Sequence, residues 1–181
     1  MEVIKLSSCL IVVDYQNDFV DGALGFDGAS AIESRIKDHI HAMREKGGDI
    51  IFTLDTHDEA YLQTEEGKHL PVEHCIKGTQ GHQLREAIAA LKTKQDKVFE
   101  KTTFPSLALA NHLEAQKYDQ IILVGLVSNI CVISNAVMAK SACPNAEIIV
   151  DASATASFDY TLHEKALDVM EGLHIIIKNR G

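Results

Sequence analysis

The chain has 181 residues, 46% of them hydrophobic and 24% charged, with a formal net charge of −9. That length suits one domain with a full core, residues 1–181, and the composition is that of a globular protein rather than a disordered or fibrous one. The acidic balance without a basic stripe argues against a nucleic-acid partner, and no apolar run approaches a membrane span.

The opening stretch, MEVIKLSSCLIVVDYQ, lacks a secretory pattern and leads straight into a strand. Six short β-rich runs then follow in order: Cys9 to Val13, Ile50 to Leu54, Lys97 to Phe99, Ile121 to Val124, Glu147 to Val150 and His174 to Ile177. Between them lie segments of helical periodicity. Ala31 to Lys46 repeats Ile32, Ile36, Ile40 and Met43 and stops at Gly47 and Gly48. Leu84 to Lys94, Ser106 to Gln116 and Thr161 to Glu171 follow the same rule. Strands alternating with helices predict a single-domain three-layer α/β/α fold with a doubly wound, mainly parallel six-stranded sheet.

In such sheets, ligands bind beyond the carboxyl ends of the strands, where the strand order reverses. Applied here, that rule selects three side chains. Asp14 ends the first strand, Lys101 follows the third, and Cys131 comes just after the fourth. Ser128 predicts an N-cap with the helix starting at Asn129, which puts Cys131 in the first turn, where the helix dipole favours a thiolate. A carboxylate beside the sulfur opposes that thiolate. A lysine ~4 Å away, at an effective dielectric near 20, contributes on the order of 4 kcal/mol and offsets it. The expectation is a cysteine nucleophile with a carboxylate proton acceptor and a stabilising cation.

The other cysteines, Cys9, Cys75 and Cys143, form no CxxC pair. Cys9 and Cys143 read as packing thiols and Cys75 as a pocket neighbour, all reduced, in a cytoplasmic protein. His39, His41, His82, His112, His163 and His174 show no ligand spacing and read as solvated.

Five motifs in this order resemble the isochorismatase-like cysteine hydrolases, and more closely their nicotinamidase-type branch. They are Asp14-Tyr15-Gln16-Asn17-Asp18-Phe19, Asp55-Thr56-His57, the segment His74 to Gly81, Lys101, and the turn from Gly125 to Cys131. The resemblance spans nearly the whole chain and implies that Asp14, Lys101 and Cys131 cleave a small amide, nicotinamide or a relative, through an acyl-enzyme with release of ammonia. It also implies a cis peptide at Leu126–Val127 that aims the Val127 N–H, with that of Cys131, into an oxyanion hole. A divalent ion, zinc, iron or manganese, is implied beside the triad, with Asp55, His57 and His74 at three ligand positions. Gln63 stands where several relatives have a fourth histidine. Glu66 is the substitute, with Glu65 and His69 as competitors.

Phe19 matches an aromatic wall that stacks on the substrate, but the chain has no tryptophan for the opposite wall, and Leu70 or Pro71 occupies that region. Phe104 is either the second wall or a loop anchor. The stretch Asp151 to Thr155 resembles a family segment and fits a pocket floor or a subunit contact. The partner implied is a small-molecule amide, with a homo-oligomer left open. Two other functions compete: isochorismatase-type hydrolysis of another substrate, against which Cys131 weighs, and a catalytically silent binding protein of the same fold.

Overall fold

A computed structural model describes residues 6–181. What the sequence predicts for residues 1–5, no secretory pattern and membership of the domain, lies outside that range. The strands are β1 (Ser8–Val13), β2 (Asp49–Asp55), β3 (Lys97–Lys101), β4 (Gln120–Leu126), β5 (Glu147–Ala156) and β6 (Ile176–Lys178). They form one parallel sheet in the order β3-β2-β1-β4-β5-β6. The helices are α1 (Asn17–Val20), α2 (Glu33–Lys46), α3 (Glu65–His69), α4 (Glu86–Ala89), α5 (Leu107–Gln116), α6 (Ile133–Ala142) and α7 (Tyr160–Gly172).

The central strands are unbroken apolar runs because both of their faces are covered. Alternate side chains point to opposite faces. Cys9, Ile11 and Val13 pack with Leu109 of α5, Ala136 of α6 and Leu167 of α7. Leu10 and Val12 pack with Ile36, Ile40 and Met43 of α2 on the other face. Among the described residues no helix is long and apolar enough to cross a membrane.

Three predicted boundaries move, each for a local reason. Leu84 to Lys94 yields only the single turn of α4. Leu84 is held in an antiparallel bridge to Gln16, and the Arg85 N–H bonds to the Tyr15 carbonyl, so no helix can start earlier. β5 runs on to Ala156, because the register with β4 shifts and Thr155 and Ala156 pair with Gly125 and Leu126. Asp151 to Thr155 is therefore strand rather than loop. β6 starts only at Ile176, since His174 takes a left-handed φ of 61° at the end of α7.

The chain leaves β1 toward one edge of the sheet and β4 toward the other. The carboxyl ends of β1 and β4 are thus the switch point, and the crevice there holds the candidate site.

Candidate active site

The site begins where β1 stops. Asp14 is completely buried and adopts a positive φ of 44°, an unusual conformation for a residue other than glycine. Thr53 of β2 fixes it: the Thr53 hydroxyl donates to Asp14 Oδ1 at 2.6 Å, and the Asp14 N–H reaches the Thr53 Oγ1 at 3.2 Å. The last residue of β3, Lys101, brings its Nζ to 2.6 Å from Asp14 Oδ2 and 3.2 Å from Asp55 Oδ1. The same ammonium lies 3.6 Å from Cys131 Sγ. The side chains of Asp14, Lys101 and Cys131, selected by the strand-end rule, thus lie together, with Asp55 as a further neighbour of the ammonium. Apart from that cation, Asp14 Oδ2 is buried without a hydrogen-bond partner among the described residues.

Electrostatics set the resting state. Burial disfavours the Lys101 ammonium, but Asp14, the Cys131 sulfur and Asp55 outweigh it and hold the group above the ordinary lysine range. Burial and the Asp14 carboxylate push the Cys131 thiol well up, with Lys101 opposing them. Two carboxylates already share the Lys101 charge and Cys131 is only 5% exposed, so burial and Asp14 work against the expected thiolate while Lys101 works for it.

The turn bearing Cys131 has the expected cis peptide at Leu126–Val127 but differs from the predicted turn beyond it. Ser128 does not cap a helix at Asn129. Ser128–Val132 is a π-helical turn in which the Val132 N–H reaches back five residues to the Val127 carbonyl, and α6 begins only at Ile133. Such wide turns recur at functional sites. The Ser128 hydroxyl instead meets His163 Nδ1 of α7 at 2.8 Å, and burial lowers the His163 imidazole. Asn135, one turn on and buried, donates to the carbonyls of Cys131 and Phe104 and accepts from the Ser106 N–H, tying the turn to the loop after β3.

Beside the triad, Asp55, His57, Glu66 and His74 offer ligand atoms that all lie within 4.8 Å of one another. His57 Nε2 and His74 Nε2 stand 3.1 and 3.3 Å from Asp55 Oδ2, and both are 3.8 Å from Glu66 Oε1. His74 Nδ1 donates to the Val72 carbonyl at 2.8 Å, which orients the ring with Nε2 toward the cluster. Glu66 Oε2 is buried with no partner among the described residues, and burial and Asp55 raise its carboxyl. Two imidazoles and two carboxylates, one with an orphaned oxygen, fit a divalent cation. The competitors fall outside this group. Glu65 and His69 are exposed and 3.4 Å from each other, and Gln63 is exposed on a 3₁₀ turn.

A cavity of about 840 Å³ opens in front of Cys131. Phe19 lines it, edge-on to His74 at 5.7 Å, and Phe104 forms a second wall, 41% exposed, so it is no core anchor. Leu70 lines it as well, where the tryptophan of the branch is missing.

Several residues of the site escaped the sequence reading. Gln16 bridges the strand ends, bonding to the Asp55 N–H and to the Asp55 and His82 carbonyls. Thr53 and Asn135 carried no signal beyond their positions, on β2 next to β1 and four residues after Cys131. Phe26 and Phe158 also line the cavity. His82 and His163 are buried rather than solvated, with His82 paired to the Thr56 hydroxyl at 2.8 Å. Cys9, Cys75 and Cys143 are free and buried, as packing thiols should be, and Cys75 is not in the cavity wall.

Comparison with known proteins places the chain in a family and a fold. Residues 8–178 match the family model described as Isochorismatase domain. The fold superposes on the nicotinamidase PncA of Bacillus subtilis with a TM-score of 0.84 at 29% identity, covering 95% of this chain and 99% of that one. The pyrazinamidase/nicotinamidase of Streptococcus mutans gives 0.84 at 31% identity, covering 94% and 99%. The pyrazinamidase of Pyrococcus horikoshii, solved in complex with zinc, gives 0.82 at 24% identity, covering 94% and 98%. A comparison with curated protein sequences finds no match.

Proposed function

The chain belongs to the isochorismatase family, and from that membership we propose that it is a cysteine amidohydrolase acting on a small amide of the nicotinamide type. One observation carries the proposal: the Lys101 ammonium stands 2.6 Å from Asp14 Oδ2 and 3.6 Å from Cys131 Sγ at the switch point of the sheet.

In this mechanism the Cys131 sulfur attacks the amide carbon as its proton passes to the Asp14 carboxylate. A C–S bond forms, and the carbonyl π electrons move to oxygen. The N–H groups of Val127 and Cys131 are the assigned donors to that oxyanion. Collapse breaks the C–N bond, and Asp14 returns the proton to the leaving nitrogen, which departs as ammonia. Water then attacks the thioester, giving one proton to Asp14. The C–S bond breaks, the sulfur takes that proton back, and the carboxylic acid leaves. Burial raises the Asp14 carboxyl, and Lys101 opposes that shift in favour of the accepting form and balances the charge that develops around sulfur. Because the proton passes to Asp14 as the sulfur attacks, the scheme needs no free thiolate beforehand.

Asp55, His57, Glu66 and His74 would hold a divalent ion, zinc, iron or manganese. When bound, it supplies a Lewis-acidic anchor for a heteroatom of the substrate. Four free cysteines suit the reducing cytoplasm as its setting.

Ammonia release from nicotinamide, pyrazinamide, carbamoyl compounds and aliphatic amides tests the assignment. The expected result is turnover of at least one aromatic amide, abolished in Cys131→Ala while the thermal melt is retained. Turnover in Cys131→Ala near that of the unaltered protein would remove the acyl-enzyme. No turnover of any amide would remove the amidohydrolase.

A further inference from the structure

The cavity extends well past the groups that the chemistry uses. Its 840 Å³ lies toward the upper end of the range for drug-sized ligands, about 300–1,000 Å³. A single-ring amide with its carbonyl at Cys131 and its ring between Phe19 and Phe104 leaves the outer part unfilled. The wall there is aromatic. Phe26, in the loop after α1, meets Phe158, in the loop between β5 and α7, edge to face with centroids 6.2 Å apart. Phe158 is nonetheless 62% exposed and lines the same cavity as Cys131. Leu24 and Leu70 continue this apolar surface.

Charge narrows what can fill it. The lining carries Asp55, Glu65 and Glu66 and, as basic side chains, only the imidazoles of His69 and His74; among the described residues it has no arginine or lysine. Lys101 is engaged by Asp14 and Asp55, His69 faces Glu65 and His74 faces Asp55. A divalent ion on the Asp55–Glu66 donor set would already be balanced by two carboxylates. An anionic tail thus meets no uncommitted cation here, and burying it unpaired is unfavourable.

We infer that the substrate is an uncharged aromatic carboxamide bearing a second apolar group, and that Phe158, with Phe26 behind it, is the specificity-determining contact for that group. The inference rests on the amidohydrolase reading for its carbonyl end only. The apolar wall stands independently of it.

The test compares nicotinamide, 5-phenylnicotinamide and the anionic 5-carbamoylnicotinic acid in the unaltered protein, Phe158→Ala and Phe158→Leu. One buried methylene is worth roughly 10-fold or more in kcat/KM. The phenyl compound should therefore exceed nicotinamide at least ~10-fold, mainly through KM. That ratio should collapse toward one in Phe158→Ala and largely return in Phe158→Leu, and the anionic compound should rank last. A ratio at or below one in the unaltered protein overturns the inference. So does a ratio that survives Phe158→Ala, or an anionic compound handled as well as the phenyl one. If no amide is cleaved, the proposed function fails but the inference is still decided, by calorimetric binding of the same three compounds. Tighter binding of the phenyl compound that Phe158→Ala abolishes supports it. Equal binding, or none because a second copy of the chain covers Phe158, overturns it.

Discussion

Asp55 is the residue through which the two halves of the site communicate. Its Oδ1 receives the Lys101 ammonium at 3.2 Å, while its Oδ2 faces His57 and His74 at 3.1 and 3.3 Å. Burial alone would raise this carboxyl, but the hydrogen bonds from both histidines and the Lys101 charge overcome it and hold it well below the usual carboxylate range. A buried ammonium left without partners is disfavoured by several kcal/mol, and Asp55 joins Asp14 in partnering Lys101 while also facing His57 and His74. We therefore expect Asp55→Ala and Glu66→Ala each to weaken zinc binding by more than the roughly 10–100-fold typical of outer-shell partners. Glu65→Ala, at an exposed residue outside the donor group, should leave it unaltered. Titration calorimetry with zinc chloride, backed by elemental analysis, reads this directly. No zinc binding by the unaltered protein, or equal losses in Glu65→Ala and Glu66→Ala, would remove the donor set.

At the level of the elements, the site depends on how closely β4 approaches β1. Gly125 takes a φ of 111°, and a Cβ built there would meet the Val13 carbonyl oxygen at 2.1 Å. Only glycine permits the strands to stay paired through Val13 and Gly125 just before one leads to Asp14 and the other to the Cys131 turn. Gly125→Ala should destabilise the fold by ~1–3 kcal/mol from conformation alone, a fall of several degrees in Tm. A melt unchanged within a degree would contradict this account of the junction. The same scale explains what the sequence could disclose. β1, β2 and β4 were legible because short, continuous β-branched runs bounded by turns suit buried strands, and the positions of Asp14, Lys101 and Cys131 were read from the ends of β1, β3 and β4. Asn135, Thr53 and Gln16 were not legible, since their role lies in contacts between elements and leaves no periodicity. His163 was misread for a related reason: it stands on an amphipathic helix, and only the packing of α7 against the nucleophile turn buries it on Ser128. The π-helical turn was hidden as well, because Ser128 satisfies the N-cap preference that its actual partner, His163, overrides.

Across the whole molecule, the half of the sheet beyond β4 is fastened by one carboxylate outside the cavity that Cys131 lines. Asp151 of β5 accepts from His39 Nε2 of α2 at 2.7 Å and from Asn179 Nδ2, just past β6, at 2.8 Å, both on Oδ2. The N–H and hydroxyl of Ser153 reach Oδ1 at 2.9 and 2.7 Å. Arg35 and Asp38 of α2 are the other charged groups around it. Burial would raise this carboxyl, yet the hydrogen bonds from His39, Ser153 and Asn179 prevail and hold it well below the ordinary range. The sign of the linkage follows. A carboxyl depressed in the folded state binds its proton more readily when unfolded, so its contribution is complete above the unfolded value, about 3.9, and is lost as the pH falls below that toward the folded value. Asp151→Asn should therefore be less stable than the unaltered protein at pH 6, by ~1.5–3 kcal/mol for hydrogen bonds to a charged acceptor. The gap should narrow steadily in denaturant melts from pH 4 downward. A constant gap across that range would mean that the side chain acts by shape and not by charge. A gap that widens in acid would reverse the assigned direction, because the carboxyl would then be releasing its proton more readily on unfolding.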